Sequence, residues 1–404
     1  MQQITPLLSI IIPTKNRIPY CISVIESILN IPDTRLELVI QDNSDTPEIK
    51  QYVKNNISDN RLIYNYTNEA FSTIDNFNAA MEASNGDYVC FIGDDDGVNP
   101  LIVQAASWAK KKQLDALTSK IKAVYYWPGS NIESSFLSKK VDETLTIYNY
   151  KGTEVESNSY KELTRFLFGG GVYYLNFNLP KVYHGIVKRE CLELVKVKTG
   201  NYFGGLSPDI FSSLAISSIA KRTIAIDYPL TIGGSCPAAE ATHSDDSLGK
   251  KIKDAPHFKN RNTYVWNNQI PNFYSGKTIW LESGISALLA MGQNNLVSKL
   301  NLSKFAADCI IAYPKLSRQI FSFMINNFKT QGKSIVIGIA IIIIDMLLDQ
   351  FNHLFNRSYN RLLLLLGIRK TYTINNLKNM QECTLALEAQ LKKNTKDAPA
   401  FTSI

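Results

Sequence analysis

Leu7-Leu8-Ser9-Ile10-Ile11-Ile12 is an apolar run that Pro13 stops and hands to a polar loop, Thr14-Lys15-Asn16-Arg17. So short and continuous a run reads as a strand buried on both faces. From Cys21 through Val24, Ile25, Ile28 and Leu29 the apolar spacing turns helical, and Pro32 closes it. Leu36–Ile40 is a second strand, running into the turn-rich Gln41–Asp45. A helix near 47–55, a strand over Arg61–Tyr66, a helix over 73–84 and a strand over Tyr88–Ile92 follow. Strand and helix alternating at this range is the pattern of βαβ units and a mainly parallel, Rossmann-like α/β sheet flanked by helices. Ligands of such sheets sit beyond the carboxyl ends of the strands. The polar loops Pro13–Arg17, Asp42–Asp45 and Gly93–Gly97 fall there.

The chain has 404 residues, room for two or three domains. With 45% hydrophobic and 20% charged residues it is neither disordered, collagenous nor a disulfide scaffold. Its net charge of +7 is uneven: residues 301–404 carry 13 Lys/Arg against 6 Asp/Glu, and the first 300 are neutral. A basic tail points to an anionic surface, membrane lipid rather than nucleic acid, for which no motif is present. Six scattered cysteines without a CxxC pair argue against zinc and for a reducing compartment. The N-terminus has no basic stretch before its apolar run, so a cytoplasmic protein is expected. Beyond about 250 the pattern is mostly helical, which divides the chain at 1–245 and 246–404.

Gly93-Asp94-Asp95-Asp96-Gly97 carries the strongest chemical signal. Three adjacent carboxylates after a buried strand repel one another, and a hard divalent cation such as Mg²⁺ or Mn²⁺ offsets that cost. With Ser9–Arg17, Val39–Ser44, Asn76 before Ala79-Ala80, and Gly86-Asp87-Tyr88, this loop resembles the family 2 glycosyltransferases, which have the GT-A fold, over about residues 7–110. The resemblance implies a nucleotide-diphosphate sugar as donor and Mn²⁺ or Mg²⁺ as cofactor. Pro13, Thr14, Lys15, Asn16 and Arg17 would line the nucleotide, with Asn76 nearby. Asp42 would meet a uracil or thymine N–H, favouring UDP or dTDP, unless it serves as an Asx-turn residue. Asp94 or Asp95 would contact the ribose, and Asp96 is the first choice for the metal. Asp75 departs from the family, where Arg often precedes the Asn.

An inverting transferase needs a base for the acceptor hydroxyl. Ser207-Pro208-Asp209 after the Gly204-Gly205 turn fits the family's position for it, making Asp209 the candidate base. The same three residues also read as an N-cap, a first-position proline and a helix-dipole charge. His184, in Tyr183–Arg189, stands on the acceptor side, and His243, in a late loop, is a further candidate metal or diphosphate contact. Ile335–Ile344 is very apolar, but only 11 uncharged residues separate Lys333 from Asp345. The 335–370 segment is therefore expected to be core or a peripheral membrane contact rather than a span. Leu377, Met380, Thr384, Leu387 and Leu391 follow coiled-coil spacing and point to a homo-oligomer. The expected activity is inverting transfer to a saccharide or lipid-linked saccharide in surface-polysaccharide synthesis. A non-catalytic nucleotide-sugar binder or scaffold and a sugar nucleotidyltransferase are the rivals; the latter normally needs a glycine-rich loop that Pro13–Arg17 lacks.

Overall fold

The computed structural model describes residues 5–130, 132–133, 140–238, 252, 256–365 and 371–403. The chain opens as β1 (Leu8–Thr14), α1 (Ile18–Leu29), β2 (Leu36–Asp42), α2 (Glu48–Asn56), β3 (Leu62–Tyr66), α3 (Thr73–Glu82) and β4 (Tyr88–Phe91). These are the alternating elements that the apolar spacing predicts. β1 pairs in parallel with β2 on one side and β4 on the other, and β3 extends the sheet beyond β2. β1 is thus central, which is why its Leu8, Ile10, Ile11 and Ile12 are wholly buried. A polar pin holds the amino ends of these strands. Ser9 donates to Glu37 at 2.6 Å, and Gly86 N–H donates to Ser9 Oγ at 2.8 Å. Gly86 leaves no room for a Cβ, which would lie 2.6 Å from Ser9 N.

The chain continues with β5 (Gly97–Val98), α4 (Ile102–Lys111), β6 (Ala116–Ser119), β7 (Ala123–Tyr126), β8 (Ile132–Glu133), β9 (Lys140–Val141), β10 (Thr144–Ile147), β11 (Glu154–Ser157), α5 (Ser159–Phe168), β12 (Ile186–Lys188), α6 (Arg189–Thr199), α7 (Pro208–Ser217), β13 (Thr223–Ile226) and β14 (Thr231–Ser235). The main sheet has eight strands in the order β11-β13-β6-β12-β4-β1-β2-β3. β12 runs antiparallel between β4 and β6, and β11 is antiparallel at the edge, within a sheet that is otherwise parallel. A second sheet, β15-β10-β7-β14-β5, in which β15 is Tyr372–Ile374 near the chain end, stands beside it and was not legible in the mixed 120–235 segment.

The last third holds α8 (Gly276–Ala290), α9 (Asn294–Val297), α10 (Leu302–Ala312), α11 (Ser317–Thr330), α12 (Ile335–Leu365), β15 (Tyr372–Ile374) and α13 (Met380–Lys393). α8 and α10 share an apolar core with α5, α7 and one face of the main sheet. The expected division at 245 does not hold for the chain end. β15 pairs with β10, Ser27 and Thr384 hydroxyls meet at 2.9 Å between α1 and α13, and Phe401 sits against Trp108 and Tyr228. Residues 372–403 therefore belong to the first body. The same packing corrects the coiled-coil expectation: Met380, Thr384, Leu387 and Leu391 are buried within this chain, so their 3-4 spacing marks an ordinary amphipathic helix face.

Leu387→Ala should cost about 2–5 kcal/mol of folding stability, as for other buried leucines. The denaturant midpoint should stay the same at high and low protein concentration, whereas an oligomer seam would make it concentration-dependent.

Candidate active site

The carboxyl ends of β1, β2 and β4 open onto a cavity of about 520 Å³. Pro13, Thr14, Lys15, Asn16 and Arg17 line it, with Asn76 and Asp94. Five of the predicted nucleotide-loop residues are thus brought together with two of the predicted donor-site residues. The loop is locked to its neighbour: Asn16 N–H donates to Ser44 Oγ at 2.9 Å, and Lys15 Nζ donates to Asn43 O at 2.9 Å. Asn16 has φ 59°, a left-handed turn that asparagine tolerates. On the far wall α3 begins with a capping box. Ser72 Oγ accepts from Asp75 N–H, and the Asp75 carboxylate accepts from Ser72 N–H at 2.9 Å. Asp75, the departure from the family pattern, is thereby explained as a helix cap.

The three aspartates are buried and fan apart. Asp94 accepts from Thr14 Oγ1 at 2.7 Å and from Arg17 Nη1 at 3.1 Å. Asp95 accepts from the same Arg17 nitrogen at 3.3 Å and faces the Cys236 thiol, while its buried Oδ2 has no N–H or O–H donor. Asp96 faces inward. Its Oδ1 accepts from Gly234 N–H at 2.6 Å, and its Oδ2 from Gly93 N–H at 2.6 Å and Tyr183 OH at 3.1 Å, with His184 Nε2 also 3.1 Å away. The titration follows this geometry. Burial pushes Asp94 up to about 7 against the pull of Arg17. Burial and the charge of Asp96 also raise Asp95. For Asp96 burial acts upward too, but the His184 contact and the two backbone N–H donors outweigh it and hold the group below the usual carboxylate range. Arg17 is likewise held above its ordinary value, burial being outweighed by Asp94 and Asp95.

Several sequence expectations change here. Asp96, the first choice for the metal, has both oxygens taken up by protein donors; the open carboxylate oxygen belongs to Asp95. His184 is not turned to an acceptor but spans Asp96 and Thr231, whose Oγ1 is 2.9 Å from Nδ1. Asp42 is wholly buried, accepts from Ser44 N–H at 2.8 Å and from Tyr64 OH at 2.6 Å, and does not line the cavity. It is the Asx-turn residue, and the expected base contact falls with it. His243 lies outside the described residues. Among the described residues no three His, Cys, Asp or Glu side chains converge as a ready cation cage.

Asp209 stands in the first turn of α7. Its carboxylate accepts from the Ser207 hydroxyl and, at 2.5 Å, from Tyr174 OH, and it is not among the residues lining the cavity. Ser207 occupies the N-cap position without capping, because its hydroxyl is given to Asp209. The backbone before α7 rests on α8, where Ser283 Oγ accepts from Leu206 and Ser207 N–H at 2.9 and 3.0 Å. Beside it Glu282 is buried, with the Tyr264 hydroxyl 2.6 Å from both of its oxygens, and burial raises its carboxyl to about 7.

The sequence reading missed the residues that support the aspartates from the second sheet. Trp127 Nε1 donates to Asp95 O at 2.8 Å. Gly234 approaches so closely that a Cβ would lie 1.9 Å from that same oxygen. The Gly233-Gly234 pair was the one available signal.

Residues 9–169 match the family model of Glycosyl transferase family 2. The match covers less than half of the 404 residues. The matched segment spans the parallel strands and the aspartate loop whose residues resemble that family. No curated protein sequence matches the chain. Among solved structures, TarS 1-349 of S. aureus in complex with UDP-GlcNAc is 13% identical, with a TM-score of 0.49, covering 84% of this chain and 89% of that one. The mannosyltransferase PcManGT from Pyrobaculum calidifontis, in complex with GDP-Man and Mn²⁺, is 14% identical, with a TM-score of 0.37, covering 85% and 88%.

Two outcomes test what supports the aspartate site. Gly234→Ala should cost about 1–3 kcal/mol, because the added methyl overlaps backbone, and should weaken nucleotide binding; calorimetric titration and a thermal melt measure both. Glu282→Gln should stabilise the protein increasingly as pH rises from 5 to 8. The wild-type carboxyl, raised to about 7 in the fold, loses stability across the interval between its ordinary pKa and 7. The gain at pH 8 should be about 2–4 kcal/mol in urea unfolding.

Proposed function

We propose that this chain is an inverting glycosyltransferase that moves a sugar from a nucleotide-diphosphate sugar, with Mn²⁺ or Mg²⁺, onto a hydroxyl of a saccharide or lipid-linked saccharide. The observation that carries this reading is the buried aspartate loop at the cavity: Gly93 and Asp94 line it, and beside them Asp95 keeps a buried carboxylate oxygen that no N–H or O–H donor reaches. An orphaned buried oxygen is costly, and a hard cation satisfies it. Asp95, with Asp94 beside it, would hold the metal, which when bound neutralises the leaving diphosphate. Arg17, now the internal cation between these two carboxylates, lies on the cavity wall, where it would turn to the diphosphate. Thr14 and Asn16 border the nucleotide. With Asp42 turned inside, no base preference is assigned.

In this reading the acceptor oxygen attacks the anomeric carbon, the bond from that carbon to the diphosphate oxygen breaks, and Asp209 takes the acceptor proton. The hydroxyls of Ser207 and Tyr174 fix the orientation of Asp209. Surface-polysaccharide synthesis as the setting rests on the family resemblance.

Asp95→Asn should abolish Mn²⁺-dependent nucleotide binding in calorimetry while the melting temperature stays near that of wild type. Undiminished nucleotide binding in excess chelator would remove the metal from the reading. Asp209→Asn should keep donor binding and lower turnover by about 10²–10⁴-fold, the range for a lost general base. A turnover near wild type would move the base to another residue, and no turnover in wild type with any nucleotide sugar would leave a non-catalytic binder.

A further inference from the structure

α12 is a helix with two unlike sides. Ile335, Gly338, Ile339, Ile342, Met346 and Asp349 recur at 3-4 spacing and turn toward α10 and α11. Ile342 is wholly buried, and a Cβ on Gly338 would meet the Phe328 ring of α11 at 2.4 Å. The acidic residues are on or beside this inner side. Lys304 of α10 pairs with both Asp349 and Asp308, and one oxygen of Asp345 is buried. The other side has no polar side chain from Val336 to Leu348. Val336 is 78% exposed, Leu347 62% and Phe351 66%, with Ile337, Ile344 and Leu348 also open. Monomeric proteins rarely leave so continuous an apolar face uncovered.

Charge decides what covers it. Lys329 and Lys333 are exposed just before the helix, and Arg357 and Arg361 are exposed toward its far end, so both ends of the face are basic. A second copy laid on the helix, parallel or antiparallel, would bring basic end against basic end. An anionic lipid surface meets both ends with the opposite sign. Crossing the bilayer is a different matter. The segment Ile335–Tyr359 is long and apolar enough to do so by composition. However, its inner side is fastened to α10, whose Phe305, Ala306 and Ala307 are part of the buried core, and a crossing would carry Asp345, Asp349 and Lys304 into hydrocarbon.

We infer that α12 lies flat in the interface of an anionic phospholipid membrane, its apolar side among the acyl chains and its basic ends at the headgroups. This does not depend on the glycosyl-transfer reading. Of the sequence-stretch expected to make this contact, residues 366–370, with Arg369 and Lys370, lie outside the described residues.

The test uses the full chain and sedimentation with vesicles of phosphatidylcholine alone or mixed with phosphatidylglycerol. The wild type should sediment with the mixed vesicles at low salt and be released as salt rises, each cation at the surface adding about fivefold to binding. Leu347→Glu combined with Phe351→Glu changes two exposed side chains, so the thermal melt should be unaltered while vesicle binding falls at least tenfold. Lys333→Glu with Arg357→Glu should lose the preference for phosphatidylglycerol. Wild type left in the supernatant with both vesicles at low salt, or equal binding by the Leu347/Phe351 variant, would overturn the inference. So would a dimer in sedimentation velocity that the same variant dissociates.

Discussion

Three neighbouring aspartates buried at the end of β4 set the terms for everything around them. Their mutual repulsion and lost hydration would not be tolerated without partners drawn from separate parts of the chain. Thr14 is the last residue of β1 and Arg17 lies in the loop after it, His184 and Tyr183 come from the segment before β12, Gly234 from β14 and Trp127 from the end of β7. The loop thereby joins the two sheets at one point. Each aspartate is treated differently: Asp96 is satisfied by the protein, Asp94 is partly neutralised, and Asp95 is left with an unmet oxygen. That difference, between satisfied and unmet carboxylates among three consecutive residues, is what the site can offer a cationic ligand.

The first hundred residues were readable because their elements are local. β1, α1, β2 and the strands that follow show apolar periods within windows of five to twelve residues, and the loops between them mark the ligand edge directly. Asp42 was ambiguous because a carboxylate facing a ligand and one closing an Asx-turn have the same sequence neighbours; only its burial under Tyr64 separates them. The inward turn of Asp96 was invisible because its donors Gly93, Tyr183 and Gly234 span more than a hundred residues. The same holds for α13. A 3-4 apolar stripe states that a helix has a buried face, not whether the covering surface is this chain or another, and here it is α1.

The helices between α8 and α12 enlarge the protein on one side of the main sheet without adding to the cavity floor. Ser283 and Glu282 on α8 bear on the approach to α7, so this part of the chain reaches the site through the backbone before Asp209. The arrangement lets the outer helices carry a surface of different chemistry, apolar and basic-ended along α12, while the aspartate loop stays in a polar, buried setting.

The return of the chain end to α1 has a consequence for how the molecule is made. Ser27 and Thr384 are hydrogen-bonded across 357 positions, and Phe401 completes the packing around Trp108 and Tyr228. The βαβ units at the start leave the ribosome first, yet one face of α1 stays uncovered until α13 has been synthesised. Contacts so distant in sequence are entropically slow to close. The nascent chain therefore carries this helix face uncovered through nearly all of its translation, a period in which chaperone binding would be most useful.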